Sequence, residues 1–389
     1  MNTKEKDLKY IMHTYGRYDV ALKSGKGATA YDEDGKKYID VSSGIGVNSL
    51  GYCDDGWVKA VSEQAGTIQH MSNYFYSSQA SDLAEKLCTL TGMAKVCFGN
   101  SGAEANECAI KIARKYSFDK YGEGRNQIIT LKNSFHGRTV TTLSATGQDV
   151  FHNYFFPFTE GFAYAEANDI DSLKNTVSGK TCAVMLEVIQ GEGGVNILDK
   201  EYVTALAEFC GERDILVIVD EVQTGVGRTG KLFAYENYGI SPDLVTAAKG
   251  LGGGLPIGIC MCAEKLKDVM SPSTHGTTFG ANPVVCAGAN YVIDKVANAD
   301  FLNEVNSKGE YIEKMLLKLP QVKSVHRMGL MIGIEIEGDA HAVAAKCVEN
   351  GLLIITAKNL LRMLPPLTIT EQEIDEAVSI LKSTLEECK

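Results

Sequence analysis

"ILVIVDEVQTGVGRTG" occupies residues 215–230. Its first five residues are all apolar and mostly β-branched, the pattern of a short strand covered on both faces, as parallel strands are. The run ends in Asp220-Glu221, so at least one carboxylate sits where water is scarce and needs a cationic or hydrogen-bonding partner. Gly225, Gly227 and Gly230 spell G-x-G-x-x-G, which raises a dinucleotide-binding turn. Asp-Glu-Val-Gln-Thr separates those glycines from the strand, and "KLFAYENYG" after them is a poor apolar helix. A loop is the better reading.

Outward from this stretch the pattern repeats. "QIITL" (127–131), "CAVMLEVI" (182–189) and "DLVTAA" (243–248) are further apolar strands, with helical stretches such as Ser101–Lys115 and Glu201–Arg213 between them. Strand–helix alternation predicts an α/β fold with a mostly parallel sheet covered on both faces. Before it, "ATAYDEDGKKYIDV" carries two β-prone runs around Asp34-Gly35, a hairpin signal. Beyond about Gly280 the chain turns helical, then mixed: "RMGLMIGIEIEG" and "GLLIITA" read as strands. "TEQEIDEAVSILKSTL" reads as a final helix with Ile374, Ala377, Val378 and Leu381 on one stripe, and Thr370 and Glu373 have capping-box spacing. A large domain over 56–280 and a smaller α+β domain from 1–55 and 281–389 are expected, because neither end is large enough to fold alone.

Composition bounds the function. A chain of 389 residues, 44% hydrophobic and 22% charged, is that of an ordinary globular protein with more than one core. No apolar run approaches the ~20 residues that span a bilayer, and the N-terminus lacks a signal-peptide core, so a cytoplasmic location is expected. The eleven cysteines are scattered with no C-x-x-C pair, which signals neither a disulfide framework nor a zinc site. Cys260 and Cys262 lie two apart, as buried thiols on one strand face would. The seven histidines form no H-E-x-x-H cluster, and no protein-bound catalytic metal is expected. A net charge of −11 argues against a nucleic-acid surface but leaves room for a small anionic substrate beside one of the eight arginines.

Two more segments should meet Asp220 at the carboxyl edge of the sheet, where open α/β sheets bind ligands. In "VCFGNSGAEANECAIKIA" a strand runs through Gly99-Asn100-Ser101-Gly102-Ala103 into a helix, offering N–H donors to a phosphate. An ordinary N-cap at Asn100 or Ser101 fits the same residues. In "VTAAKGLGGGLPIG" (245–258), Lys249 stands among small residues, either in a plain flexible loop or where its amine must touch a flat ligand. Phosphate cradle, strand-end carboxylate and glycine-flanked lysine together suit pyridoxal 5'-phosphate. Its aldehyde needs an amine, its phosphate needs N–H donors, and its ring nitrogen needs an anion.

The chain resembles the class III (ornithine/acetylornithine/4-aminobutyrate) pyridoxal-phosphate aminotransferases. The resemblance covers nearly its whole length through "GKGATAYDEDGKKYIDVSSGIGVNSLGY", "GNSGAEANECAIK", "SFHGRT", "LEVIQGEGGV", "VDEVQTGVGRTG", "AAKGLGGGLPIG", "GTTFGANP" and "LRMLPPLTIT". It implies the type I fold of pyridoxal-phosphate enzymes, and Lys249 as both the lysine that condenses with the cofactor aldehyde and the base that moves the substrate proton. Asp220 is implied at the ring nitrogen, Gln223 at the ring hydroxyl, Ser101, Gly102 and Ala103 at the phosphate, and Phe135 on the ring face. Thr278 is implied at the phosphate of the partner's cofactor in an obligatory homodimer. Arg138 and Arg362 are implied as carboxylate clamps, Glu192 as a movable partner of Arg362, and Tyr15 and Ile45 as lining of the substrate pocket; Glu187 matches a motif glutamate.

The "SFHGRT" form and the length are most similar to the acetylornithine branch. That branch transfers the δ-amino group of N2-acetylornithine to 2-oxoglutarate, a step of arginine biosynthesis. Ornithine, succinylornithine and 4-aminobutyrate are the rival donors, and an NAD-dependent dehydrogenase using "GVGRTG" is the rival from another class. The sequence departs from the family pattern at "GYCDD", "GANP", "LEVIQ" and Tyr18-Asp19, the last near the substrate entrance.

Overall fold

In the computed structural model, which describes residues 1–388, a seven-stranded sheet forms the centre of the protein. In spatial order its strands are Lys95–Gly99, Gly258–Cys262, Leu244–Ala248, Leu216–Asp220, Thr181–Leu186, Gln127–Leu131 and Phe162–Ala165. Six run parallel, and Gly258–Cys262 is antiparallel to both of its neighbours. The expected mostly parallel α/β sheet is present, and its strands read as unbroken apolar runs for a visible reason. Leu216 and Ile218 enter one apolar cluster, while Val217 and Val219 enter the cluster on the opposite face. Each such buried side chain contributes about 1.5–3 kcal/mol relative to an exposed one.

The helix Gly102–Tyr121 covers one face through Ala105, Cys108, Ala109, Ile112 and Ala113. It runs a turn and a half beyond the stretch predicted from sequence. The other predicted helix spans Lys200–Gly211, and "CAVMLEVI" divides into the strand Thr181–Leu186 and the short strand Ile189–Gln190. The glycines after Asp220 lie in turns, not at the head of a helix, in agreement with the loop reading.

The two chain ends share structure. Thr29–Asp32 and Lys37–Asp40 form the expected hairpin, and Lys37–Asp40 also pairs in parallel with Leu352–Leu353 from the far end of the chain. A second four-stranded sheet contains Val322–Met328, Met331–Ile336, Leu360–Met363 and Ile355–Ala357. The last helix, Glu371–Glu387, starts at a Thr370–Glu373 capping box and buries Ile374, Ala377, Val378 and Leu381. Arg228, buried in the loop after Asp220, donates to the carbonyls of Leu330 and Pro365 and so holds that loop against the C-terminal sheet. Among the described residues, no helix is long and apolar enough to cross a membrane.

Candidate active site

Because six strands run parallel, their carboxyl ends lie along one edge, and the residues that follow them face a common space. Asn100–Ala103 follow the first strand, Phe135–Arg138 come after Leu131, Glu187 follows Leu186, Asp220 ends its strand, and Lys249 follows Ala248. All of them line one cavity of about 480 Å³, together with Gln223. Gly258, at the start of the antiparallel strand, must be glycine: a Cβ there would lie 2.0 Å from the Ser101 carbonyl oxygen. The close approach fixes the loop that begins the helix Gly102–Tyr121.

Ser101 is the N-cap of that helix, its Oγ accepting the Glu104 N–H at 3.2 Å. Its hydroxyl proton remains available, so the ordinary cap and the anion cradle coincide in one residue. Asp220 is buried and its carboxylate is fully supported. Oδ2 accepts from Asn106 Nδ2 and from His136 Nδ1, each at 2.8 Å, and Oδ1 accepts from the Val222 N–H at 3.0 Å. Asn106 is oriented in turn by Thr246 Oγ1, which donates to its Oδ1 at 2.7 Å. Because a carboxylate only accepts, His136 carries its proton on Nδ1.

Lys249 has a left-handed backbone (φ 44°), and its amine makes no hydrogen bond or ion pair among the described residues. Burial lowers its pKa, and the Arg362 charge adds to that, against opposing pulls from Glu192, Asp220 and Glu187. An amine held this way loses its proton more readily than a surface lysine. Glu187, buried and accepting the Phe135 N–H at 2.8 Å, is pushed well above the usual carboxylate range by burial and by the Asp220 charge.

Arg362 comes from the C-terminal sheet and meets Glu192 in a two-point pair, Nη1–Oε1 2.7 Å and Nη2–Oε2 3.2 Å. Gln223 closes the group: its Oε1 accepts from Arg362 Nη1 at 3.1 Å and its Nε2 donates to Glu192 Oε1 at 3.2 Å. Burial alone would raise the Glu192 pKa, but the Arg362 charge and hydrogen bonds hold it below the usual range. The glycines beside Glu192 serve close packing. A Cβ on Gly191 would lie 2.1 Å from Gln223 Oε1, and one on Gly193 would lie 2.7 Å from the Asn133 carbonyl oxygen.

The model of the class-III aminotransferase family matches residues 10–385. The chain belongs to the class-III aminotransferases. An acetylornithine aminotransferase of Haemophilus ducreyi is 50% identical to this aminotransferase, over 99% of this chain and 98% of its own. One of Caldanaerobacter subterraneus subsp. tengcongensis is 48% identical over the full length of both. Among solved structures, an ornithine aminotransferase of Toxoplasma gondii with PLP at partial occupancy in its active site superimposes with a TM-score of 0.92. It shares 31% identity, over 98% of this chain and 94% of that one.

Not every residue singled out in the aminotransferase sequence faces this cavity. Arg138 lines it and is exposed, its guanidinium 4.2 Å from the Phe151 ring centroid and 5.6 Å from that of Phe135. Tyr15, Ile45, Thr278, Glu192 and Arg362 do not line it; the first three are exposed, and the Arg362–Glu192 pair reaches it only through Gln223. Ile45 also has φ 64°, a strained backbone for a β-branched residue. Conversely, Asn106, His136 and Thr246 escaped the reading of site residues. Asn106 left one trace in the sequence, an amide on the apolar stripe of a helix.

Proposed function

We propose that this aminotransferase uses pyridoxal 5'-phosphate to move the δ-amino group of N2-acetylornithine to 2-oxoglutarate, giving N-acetylglutamate 5-semialdehyde and glutamate. The observation that carries the reading is the Arg362–Glu192 pair beside a cavity lined by Arg138, which has no carboxylate partner among the described residues. The donor presents one carboxylate, far from the reacting amine; the acceptor presents one at each end.

The residues fit the cofactor. Ser101, Gly102 and Ala103 offer hydroxyl and backbone donors at a helix start, and Asp220 is a buried carboxylate that accepts from Asn106, His136 and the Val222 N–H. Phe135 supplies an apolar face, Gln223 an amide, and Lys249 a readily deprotonated amine. When bound, pyridoxal phosphate supplies an aldehyde for covalent attachment and a ring that accepts electrons from the reacting carbon. Asp220, steadied by Asn106 and His136, holds a proton at the ring nitrogen. Lys249 Nζ takes the proton from the donor's reacting carbon and returns it elsewhere, one base serving both transfers. Arg138 binds the distal carboxylate of either substrate by paired hydrogen bonds. Arg362 binds the carboxylate next to the reacting carbon, but only after Glu192 has moved away. While the pair is closed, an α-carboxylate finds no free cation there, and the δ-amine is favoured over an α-amine.

The same reading makes the assembly a homodimer in which Thr278 serves the partner's cofactor, with Tyr15 and Ile45 completing the substrate entrance; what supports it is that all three stand exposed and outside their own chain's cavity. It also divides the chain into 56–280 and a smaller domain of 1–55 with 281–389. The test is kcat/KM for N2-acetylornithine against ornithine, succinylornithine and 4-aminobutyrate. Acetylornithine is expected to lead, because aliphatic Ile45 stands where resemblance to ornithine aminotransferases requires a tyrosine. A higher kcat/KM for free ornithine overturns the assignment.

A further inference from the structure

Away from the catalytic residues, three side chains from three different elements bring ligand atoms together. Cys97 lies on the strand Lys95–Gly99, Cys108 on the helix packed over it, and His275 in the segment before Thr278. One ligand atom from each falls within 4.8 Å of the other two. Cys260 is the cross-strand partner of Cys97, and the thiols of both lie close to the Cys108 thiol. Lys111 holds the histidine from the side: its Nζ donates to the Thr274 carbonyl at 2.6 Å and lies 3.1 Å from His275 Nδ1.

We propose that Cys97, Cys108 and His275 form a binding site for a thiophilic divalent cation of the zinc type, separate from the transamination machinery. Two sulfurs and an imidazole are the donor set that such an ion prefers over the oxygens chosen by magnesium or calcium. Bond lengths of about 2.3 Å to sulfur and 2.0 Å to nitrogen in a tetrahedron put ligand atoms about 3.5–3.8 Å apart, so the trio closes by no more than about 1.3 Å. Two thiol protons leave to solvent as two Cys–metal bonds form. The two thiolates cancel the cation's charge, which suits a site whose Cys108 is buried among apolar side chains. Water takes the fourth position, and Cys260 stays a thiol that donates to a bound sulfur. Ligation at either ring nitrogen ends the Lys111–Nδ1 contact, since the ammonium can donate only to a bare nitrogen. Lys111 keeps the Thr274 carbonyl.

Occupancy would tie the segment 271–280 to the sheet beside the proposed phosphate cradle, where Asn100 Nδ2 already donates to Thr277 Oγ1 at 2.8 Å. The experiment titrates the purified holoenzyme with Zn²⁺ against a chromophoric chelator and with Co²⁺ for the visible bands of a tetrahedral thiolate site. One ion per chain is expected, with bands in the red. Cys97→Ser and His275→Ala should each weaken Zn²⁺ binding by at least about tenfold and abolish the Co²⁺ bands. Lys111→Met, which removes a nearby positive charge, should tighten binding, and Cys53→Ser, at an exposed thiol elsewhere, should change nothing. His275→Ala alters only a partly buried loop residue, so it remains informative if the cysteine variant folds poorly. Absence of stoichiometric uptake by the wild type, or uptake unchanged in both ligand variants, overturns the site.

Discussion

Arg138 lines the cavity and Arg362 stands behind Gln223 at its side, and the two are held under opposite conditions. Arg362 is 2% exposed and neutralised by Glu192 through two hydrogen bonds, with Gln223 bridging the pair. Arg138 is exposed and rests against aromatic rings, with no acid partner among the described residues. A ring face attracts a guanidinium without cancelling its charge, so Arg138 stays ready for a carboxylate. A carboxylate cancels the charge outright, so Arg362 becomes available only when its partner leaves. Under the proposed function, the difference would let one pocket accept two unlike substrates: one clamp always open, the other conditional.

The largest expected effect removes the amine on which both ends of this arrangement act. Lys249→Ala should still bind the cofactor through phosphate and ring contacts yet lose nearly all turnover. The loss should exceed the ~10²–10⁴ of a removed general base, because nucleophile and base are the same atom. Steady-state rates without added amines check it; a variant retaining a tenth of wild-type activity breaks the mechanism.

The comparison itself is tested by truncating each arginine. Arg362→Ala should slow the 2-oxoglutarate half-reaction by on the order of 10²–10³ while leaving the acetylornithine half within about tenfold. Arg138→Ala should damage both halves alike. Single-turnover cofactor absorbance separates the halves, and equal damage to both in Arg362→Ala would show that this arginine is no conditional clamp. A smaller effect is expected from Glu192→Ala, which leaves Arg362 permanently open. Transamination of α-amines such as that of glutamate should rise by about tenfold relative to the acetylornithine δ-amine. A ratio of kcat/KM values that does not move would mean that the carboxylate does not gate the arginine.

Much of this arrangement was legible in the sequence because it rests on local pattern. Strands such as Leu216–Asp220 announce themselves by unbroken apolar runs, and the residues just past their ends had to share an edge once the sheet was parallel. Glycine-flanked Lys249 and the Asn100–Ala103 turn were visible for the same reason. The antiparallel course of Gly258–Cys262 was not, since strand direction leaves no mark on a five-residue apolar run. Asn106 and His136 were missed as supports of Asp220 because a buried polar group shows its purpose only through partners distant in sequence. The Cys97–Cys108–His275 group has no ligand spacing to recognise, its members coming from a strand, a helix and a loop. Tyr15, Ile45 and Thr278 are outside the cavity of a single chain, and no local pattern tells which chain's site a loop residue serves.

The smallest effect contrasts two glutamates, a half-buried and a buried one, rather than two arginines. Glu192 has a cation and its pKa is lowered; Glu221 has none among the described residues, and burial pushes its pKa up to about 7, although Thr224 Oγ1 and the Tyr235 N–H donate to it. The signs follow from proton binding. Between its ordinary value near 4.5 and about 7, Glu221 keeps in the folded protein a proton that the unfolded chain has lost. Its contribution to stability is therefore full below pH 4.5, declines as pH rises through that window, and is gone above about 7. Glu192 works the other way, contributing above its ordinary value and failing only as pH falls through its lowered one. Glu221→Gln keeps an oxygen for the Tyr235 N–H and an amide that can donate to Thr224 Oγ1, but it removes the titration. The melting temperature of the variant relative to wild type should climb between pH 5 and pH 7, by a few degrees in all, and then stay level. Thermal unfolding across a pH series at constant ionic strength measures this. Parallel curves over the whole window would mean that Glu221 ionises in the fold as it does in water, and that the absent cation costs it nothing.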